Sequence, residues 1–339
     1  MKHMKKFIFI LFLVSCSNQE NKFPKKLPKT FTYIHKENPE SFFSKFIKKD
    51  IIQEQTDFFK QNYNLPNLSL KQRREIKIAI IDTGLRKELI HQLKSKIYNP
   101  EKIKNFSGYD LTNTGMNDQL LHGTNISGII LGINQEVKIL PIKYYSSLFK
   151  GNSLNNEVEA IKLAIKSKVD IINLSIAGPD FSKKEKEAIL EAEKAGIIIV
   201  ASTGNDGINI DKSPIYPASL KTKNMIIVSN FDKELNSLDP KSSWSNDSNL
   251  VITHGAKLIG FGVKMSGVSQ AVGVVSGLIS LYLSTQDKNS TRDVHKFLKS
   301  ISNSSNQSLV IDFEKLKILE KNNQSTPSLK SIERNLASK

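Results

Sequence analysis

Five short runs of β-branched and aliphatic residues recur along this chain, at 76–81, 137–143, 169–176, 197–201 and 225–229. Longer stretches with helical apolar spacing separate several of them, and this alternation constrains the fold more than any other feature. Residues 156–168 place Val158, Ile161, Leu163, Ala164 and Ile165 at such spacing, and residues 183–195 do the same with Ala188, Ile189, Leu190 and Ala192. Runs that are apolar at successive positions read as strands buried on both faces. Strands alternating with helices predict an α/β fold, a mostly parallel sheet covered by helices on both sides. Reactive groups in such sheets gather beyond the carboxyl ends of the strands. The chemistry is therefore sought where each run stops.

The flanks differ in character. Lys2, Lys5 and Lys6 precede a short apolar run, 7–14, which is too short to span a bilayer and reads as an export signal. It ends in Leu13-Val14-Ser15-Cys16, a tetrapeptide that resembles the lipobox of bacterial lipoproteins, in which the cysteine becomes the acylated first residue of the mature chain. Cys16 is the only cysteine, so a disulfide within the chain, a multi-cysteine metal site and a catalytic thiol are excluded. The expected organisation is a signal peptide at 1–15, a tether with room for a short prosegment at 16–70, one α/β domain at 71–314 and a polar tail at 315–339. Within the tether, 40–61 carries Phe43, Phe46, Ile47, Ile51, Phe58 and Phe59 in a pattern compatible with an amphipathic helix that is either a prosegment or packs on the domain. The expected location is the bacterial cell envelope, held there by lipid on Cys16. The formal charge of +16 comes from lysines dispersed through the chain, without a nucleic-acid-binding motif, so no nucleic-acid partner is expected.

Three strand-end or helix-start positions carry chemistry. Asp82-Thr83-Gly84 follows the first run. His122-Gly123-Thr124 opens a stretch of small and apolar residues suited to a buried helix, and none of the other five histidines has that setting or a zinc-binding His-Glu-x-x-His pair. Ser269 stands in Ser266-Gly267-Val268-Ser269-Gln270-Ala271, ahead of another apolar helix over 278–283. Each has a plainer reading: a turn, a structural histidine, a serine helix cap. Asp82-Thr83-Gly84 is also half of the paired motif of aspartic peptidases, but the second half is missing and Leu85 follows the glycine.

Taken in order, an aspartate after a strand, His-Gly-Thr opening a helix and Gly-x-Ser-x-Ala at a helix start resemble the subtilisin-like serine peptidases. The separations, 40 residues from Asp82 to His122 and 147 from His122 to Ser269, suit such a domain. Val200-Ala201-Ser202-Thr203-Gly204-Asn205 resembles the family's oxyanion-hole segment, and Ile171 to Gly178 resembles the strand that pairs with the substrate backbone. The resemblance covers roughly residues 77–283. It implies a three-layer α/β/α fold, a catalytic triad of Asp82, His122 and Ser269, an oxyanion donor at Asn205 and substrate contacts at Ser175, Ile176, Ala177 and Gly178. It implies protein or peptide substrates and hydrolysis through an acyl-enzyme, with no cofactor and no metal in the reaction.

The chain departs from the family pattern in several places. Val268 stands where threonine is usual, Gly273 where proline is usual and Ala177 where glycine is common. The short connection 132–136 leaves no room for the calcium loop some members carry there, and that site is expected to be absent. The departures support one alternative, a non-catalytic lipoprotein that keeps the fold as a binding module.

Overall fold

The computed structural model describes residues 50–62, 65, 72–149, 151–232, 237–248, 250–286, 294–305 and 308–319. Cys16 and the expected signal run lie outside them.

Five strands form where the five β-branched runs stand, and among the described residues five more join them in the main sheet. β1 (Lys77–Asp82), β2 (Tyr109–Asp110), β3 (Lys138–Lys143), β4 (Ile171–Leu174), β5 (Ile198–Ser202), β6 (Met225–Asp232), β7 (Ser237–Leu238), β8 (Val251–His254), β11 (Ser302–Ser305) and β12 (Ser308–Ile311) make one sheet. Its order is β11-β12-β8-β6-β5-β4-β1-β3-β2, with β7 paired to β6 off that path. Every neighbouring pair is parallel except β11 with β12 and β7 with β6. A separate antiparallel hairpin joins β9 (Leu258–Gly260) and β10 (Val263–Met265).

Alternation along β1 fills two cores. Ile78 and Ile80 point into one layer with α1 (Ile51–Asn62), α3 (His122–Ile133), α6 (Val268–Thr285) and α7 (Val294–Ser300). Ala79 and Ile81 point into the other with α4 (Ser153–Lys166) and α5 (Lys183–Lys194), while α2 (Lys87–Ile90) is a single short turn. This is the three-layer α/β/α arrangement that the alternation predicts. α6 is apolar enough over its 18 residues to cross a bilayer by composition, yet 89% of that window is buried inside the protein, where it packs on α3 and on four strands of the sheet.

Two flanking segments join the core. Ile51, Ile52, Phe58 and Phe59 of α1 are buried against α3. Gln55 of the same helix is fully buried, donating to Ile259 O at 2.7 Å and accepting from Phe261 N–H at 2.9 Å, so α1 clasps the β9–β10 hairpin. At the other end Leu316 and Leu319 are buried in the same cluster. The folded body thus begins before residue 71 and runs past residue 314.

The order of connections marks a candidate cleft. From β1 the chain passes through α3 to β3 on one side; from β4 it passes through α5 to β5 on the other, and on the opposite face. Strand order therefore diverges between β1 and β4, and the crevice beyond their carboxyl ends is where α/β sheets bind ligands.

Candidate active site

Asp82 is the last residue of β1, buried at 3% exposure. The turn after it requires Gly84, with φ +108°, because a Cβ there would collide with Met116 O. That turn brings Asp82 against the first residue of α3, and Asp82 Oδ1 lies 2.7 Å from His122 Nδ1. The same oxygen accepts from Thr83 N–H at 2.7 Å, while Oδ2 is buried with no hydrogen-bond partner. A buried carboxylate so incompletely satisfied favours a proton on the neighbouring imidazole. Burial opposes the charged form of His122, but the charge of Asp82, its hydrogen bond and the charge of Asp118 outweigh it and raise the imidazole pKa above its ordinary value.

Asp118 was not singled out in the sequence, and it is the organiser of this corner. It is fully buried and accepts from Thr83 Oγ1, Leu120 N–H, Leu121 N–H, Thr124 N–H and Thr124 Oγ1 at 2.8–3.1 Å. These bonds hold Leu121 at φ +63°, a left-handed conformation that costs a bulky residue energy and that starts α3 so that His122 meets Asp82. Thr83 joins the two carboxylates, its hydroxyl 2.8 Å from Asp118 Oδ1 and 3.2 Å from Asp82 Oδ1. Burial first, and then the charge of Asp82, push the Asp118 carboxyl above its ordinary range despite its hydrogen bonds.

Lys143 is the matching cation. It ends β3 in register with Asp82, is 1% exposed, and its Nζ donates to Gly115 O at 2.7 Å and Asn117 O at 2.8 Å. It pins the loop that carries Asp118. Burial lowers its pKa, and the charges of Asp110 and Asp118 counteract that. The sequence signals were present, an aspartate four residues before the histidine and a lysine closing an apolar strand, but both residue types are common at exposed positions.

Ser269 is the second residue of α6; the helix cap is Gly267, so the serine is not a capping residue. Gly267 adopts φ +148°, ψ −179°, and a Cβ there would press to 3.1 Å from Asn205 Oδ1. Asn205 follows β5, and its Oδ1 accepts from Val268 N–H at 3.0 Å, 63 residues away in sequence. Its amide nitrogen makes no hydrogen bond among the described residues. The asparagine is thereby fixed by its oxygen with its N–H groups unused, beside the backbone of the residue before Ser269.

Ser269 Oγ is 3.5 Å from Ser175 O, and Ser175 Oγ donates to Ser269 O at 3.3 Å. No hydrogen bond joins Ser269 to His122 in this structure. Behind Ser175 runs a buried chain in which Asn173 Nδ2 donates to Ser175 Oγ at 3.0 Å and Ser276 Oγ donates to Asn173 Oδ1 at 2.9 Å. It locks α6 onto the end of β4. Of the four residues expected to meet substrate, Gly178 exchanges both main-chain bonds with Tyr216, at 3.0 and 2.7 Å. The main-chain groups of Ile176 and Ala177 make none among the described residues and form the open edge. The described residues also contain no cluster of three or more histidine, aspartate and glutamate side chains that could hold a metal.

Comparison with known proteins bears on the family and the fold. The model of the subtilase family, Peptidase_S8, matches residues 73–314. The major intracellular serine protease of Bacillus subtilis (strain 168) is 27% identical over 242 residues, covering 65% of this chain and 72% of that protein. The membrane-bound transcription factor site-1 protease of Homo sapiens is 28% identical over 239 residues, covering 63% of this chain but 21% of its own length. Among solved structures, a lanthipeptide protease superposes with a TM-score of 0.61 at 20% identity, over 80% of this chain and 94% of that one. The epidermin leader peptide processing protease of Staphylococcus aureus gives 0.60 at 20% identity, over 83% and 82%. At these identities the structural likeness bears on the fold.

Proposed function

The chain belongs to the subtilase family of serine proteases, and from that premise we propose that Asp82, His122 and Ser269 are its catalytic triad and Asn205 its oxyanion donor. The observation that carries the assignment is the buried 2.7 Å contact between Asp82 Oδ1 and His122 Nδ1. That contact presents the imidazole's other nitrogen as the base.

In this reading the substrate backbone lies along the open edge at 175–177, and the Ser269 hydroxyl turns from Ser175 O to His122 Nε2. Hydrogen bonds of this kind commonly tighten only once substrate is bound. His122 takes the hydroxyl proton as Oγ attacks the scissile carbonyl, and Asp82 holds the tautomer and stabilises the imidazolium. The carbonyl oxygen, now negative, receives hydrogen bonds from Asn205 Nδ2 and Ser269 N–H at the positive end of α6. His122 returns the proton to the leaving amine, and water repeats the sequence to free the acyl group.

A fluorophosphonate probe tests the triad. It should label Ser269, located by peptide mass, and Ser269→Ala should lose both labelling and peptide cleavage; cleavage at the wild-type rate by that variant overturns the assignment. We further propose export and anchoring on the cell envelope through acylated Cys16, on the strength of the sequence before it. Radiolabelled palmitate should enter the wild-type protein and not Cys16→Ala.

A further inference from the structure

Away from the triad, two carboxyl groups are buried face to face without a cation. Glu157 is 4% exposed on α4 and Glu185 is 1% exposed on α5. Burial, and then the charge of Glu185 and a hydrogen bond to it, raise Glu157 well above the ordinary carboxyl range; burial raises Glu185 although the same hydrogen bond works the other way, and one proton is held between the two. Glu157 Oε1 and Glu185 Oε2 remain buried with no hydrogen-bond partner. No lysine or arginine pairs with either among the described residues, in a chain with 49 of them. Apolar residues of similar size would hold two helices together at lower cost than buried carboxyls do. The two carboxyls have each other and one proton, and no cation, as partners.

Their place in the fold says which ligand. Both lie within the first turns of helices that follow β3 and β4, at the carboxyl end of the sheet where Asp82 stands. Tyr144 connects the two regions: its N–H donates to Asp82 O at 3.0 Å, and the charges of both Glu157 and Asp82 act on its hydroxyl. Ile176, on the open edge, packs in the same apolar cluster as Val158, Ala188 and Ile189. The pair therefore sits behind the edge along which the peptide is read to lie. On the loops leading into α4 and α5, Leu148 and Phe181 are 60% and 56% exposed. Two carboxyls behind an apolar layer of Ile176, Val158, Ala188 and Ile189 fit a side chain with a methylene stem and a cationic head.

We propose that Glu157 and Glu185 form the floor of a substrate subsite that receives a lysine or arginine side chain of the peptide, set away from the scissile bond. The proposal rests on the catalytic reading of Asp82, His122 and Ser269. An extended peptide turns alternate side chains to the same face, so one position of the substrate dips toward the pair while the scissile bond stays at Ser269. The arriving cation supplies the missing partner and displaces the shared proton.

The test uses quenched fluorescent peptides of one length in which each position in turn is arginine or citrulline, its uncharged analogue of the same shape. At one position not adjacent to the cleaved bond, the wild-type enzyme should prefer arginine by about 10- to 100-fold in kcat/KM, the scale of a charge-assisted hydrogen bond. Glu157→Gln and Glu185→Gln should each reduce that ratio to within about threefold of unity; Glu185→Met serves where a glutamine variant does not fold. Equal rates for arginine and citrulline at every position in the wild type, or a preference that survives the substitutions, overturns the subsite. Fluorophosphonate labelling of Ser269 in the same wild-type preparation separates the two ideas: absent labelling refutes the catalytic reading, whereas labelling without charge preference refutes the subsite alone.

Discussion

On the proposed reading Asn205 has two jobs that different substitutions pull apart. Its oxygen accepts from Val268 N–H at 3.0 Å, and its amide nitrogen is left for the oxyanion. Asn205→Ala removes both. The lost hydrogen bond costs about 0.5–1.5 kcal/mol of stability, or a fall of about 2–4 °C in Tm per kcal/mol for a domain of this size. The lost donor acts on charge that exists only in the transition state, so it appears in kcat: about 10²- to 10³-fold, or 2.7–4 kcal/mol, a magnitude borrowed from a side-chain oxyanion donor in another member of this family. Asn205→Asp keeps an oxygen for Val268 N–H but sets a negative charge where the oxyanion forms. Its Tm should fall less than that of the alanine variant, while its kcat falls at least as far. Steady-state kinetics and thermal melts on both variants decide the matter, with KM expected within a few-fold of wild type. An aspartate variant of undiminished kcat, or an alanine variant that loses stability alone, removes Asn205 from the site and reduces it to a tie between β5 and α6.

Three other substitutions test the supporting structure. If His122 is the proposed base, catalysis needs it neutral and the rate rises with pH through its pKa, which the charges of Asp82 and Asp118 hold above the ordinary value; Asp118→Asn should move the acidic limb of kcat/KM to lower pH and reduce kcat, and an unmoved limb refutes the charge coupling. Gly132→Ala places a Cβ 2.6 Å from the Phe59 ring and 2.9 Å from Gln55 Cγ, a clash expected to cost about 1–3 kcal/mol despite alanine's better helix propensity; a raised Tm would show that α1 is not docked as described. Gly273→Ala meets the Ile129 and Ile126 side chains at ordinary contact distances of 3.4 and 3.6 Å and should stabilise α6 by about 0.5–1 kcal/mol, with a lowered Tm as the contrary result.

The five central strands, β6, β5, β4, β1 and β3, are legible because they leave uninterrupted β-branched runs, and their ends differ from those runs by no more than three residues, as at β4, where the run 169–176 yields a strand of Ile171–Leu174; β2, β7, β8, β11 and β12, two to four residues long, leave no such run. The triad candidates were legible because each sits where a periodic run begins or stops. What escaped notice is long-range and polar. Asp118 matters through five hydrogen bonds, one of them to Thr83, 35 residues earlier. Asn173 and Ser276 meet across 103 residues, and Glu157 and Glu185 look like surface positions of amphipathic helices until packing buries them. α1 was read as either a prosegment or a packed helix, since spacing alone states that a face is apolar and not what covers it.

The three departures from the family pattern gave the non-catalytic alternative its footing, and their surroundings weaken it. Val268 is fully buried in the core of α6, so its side chain is packing, and its contribution at the site comes from a main-chain N–H that any residue but proline supplies. Gly273 lies a full turn beyond Ser269 against Ile126 and Ile129 of α3, where it affects how two core helices approach and leaves the serine's own turn untouched. Ala177 packs on the apolar cluster behind the edge, its methyl turned toward Gly204, while its main-chain groups stay open. A binding module released from catalysis has no need to bury two carboxylates and a lysine, and to hold a leucine in a strained conformation, around one histidine. Here Asp82, Asp118, Lys143 and Leu121 carry those costs together, and the one property they share is the placement of His122.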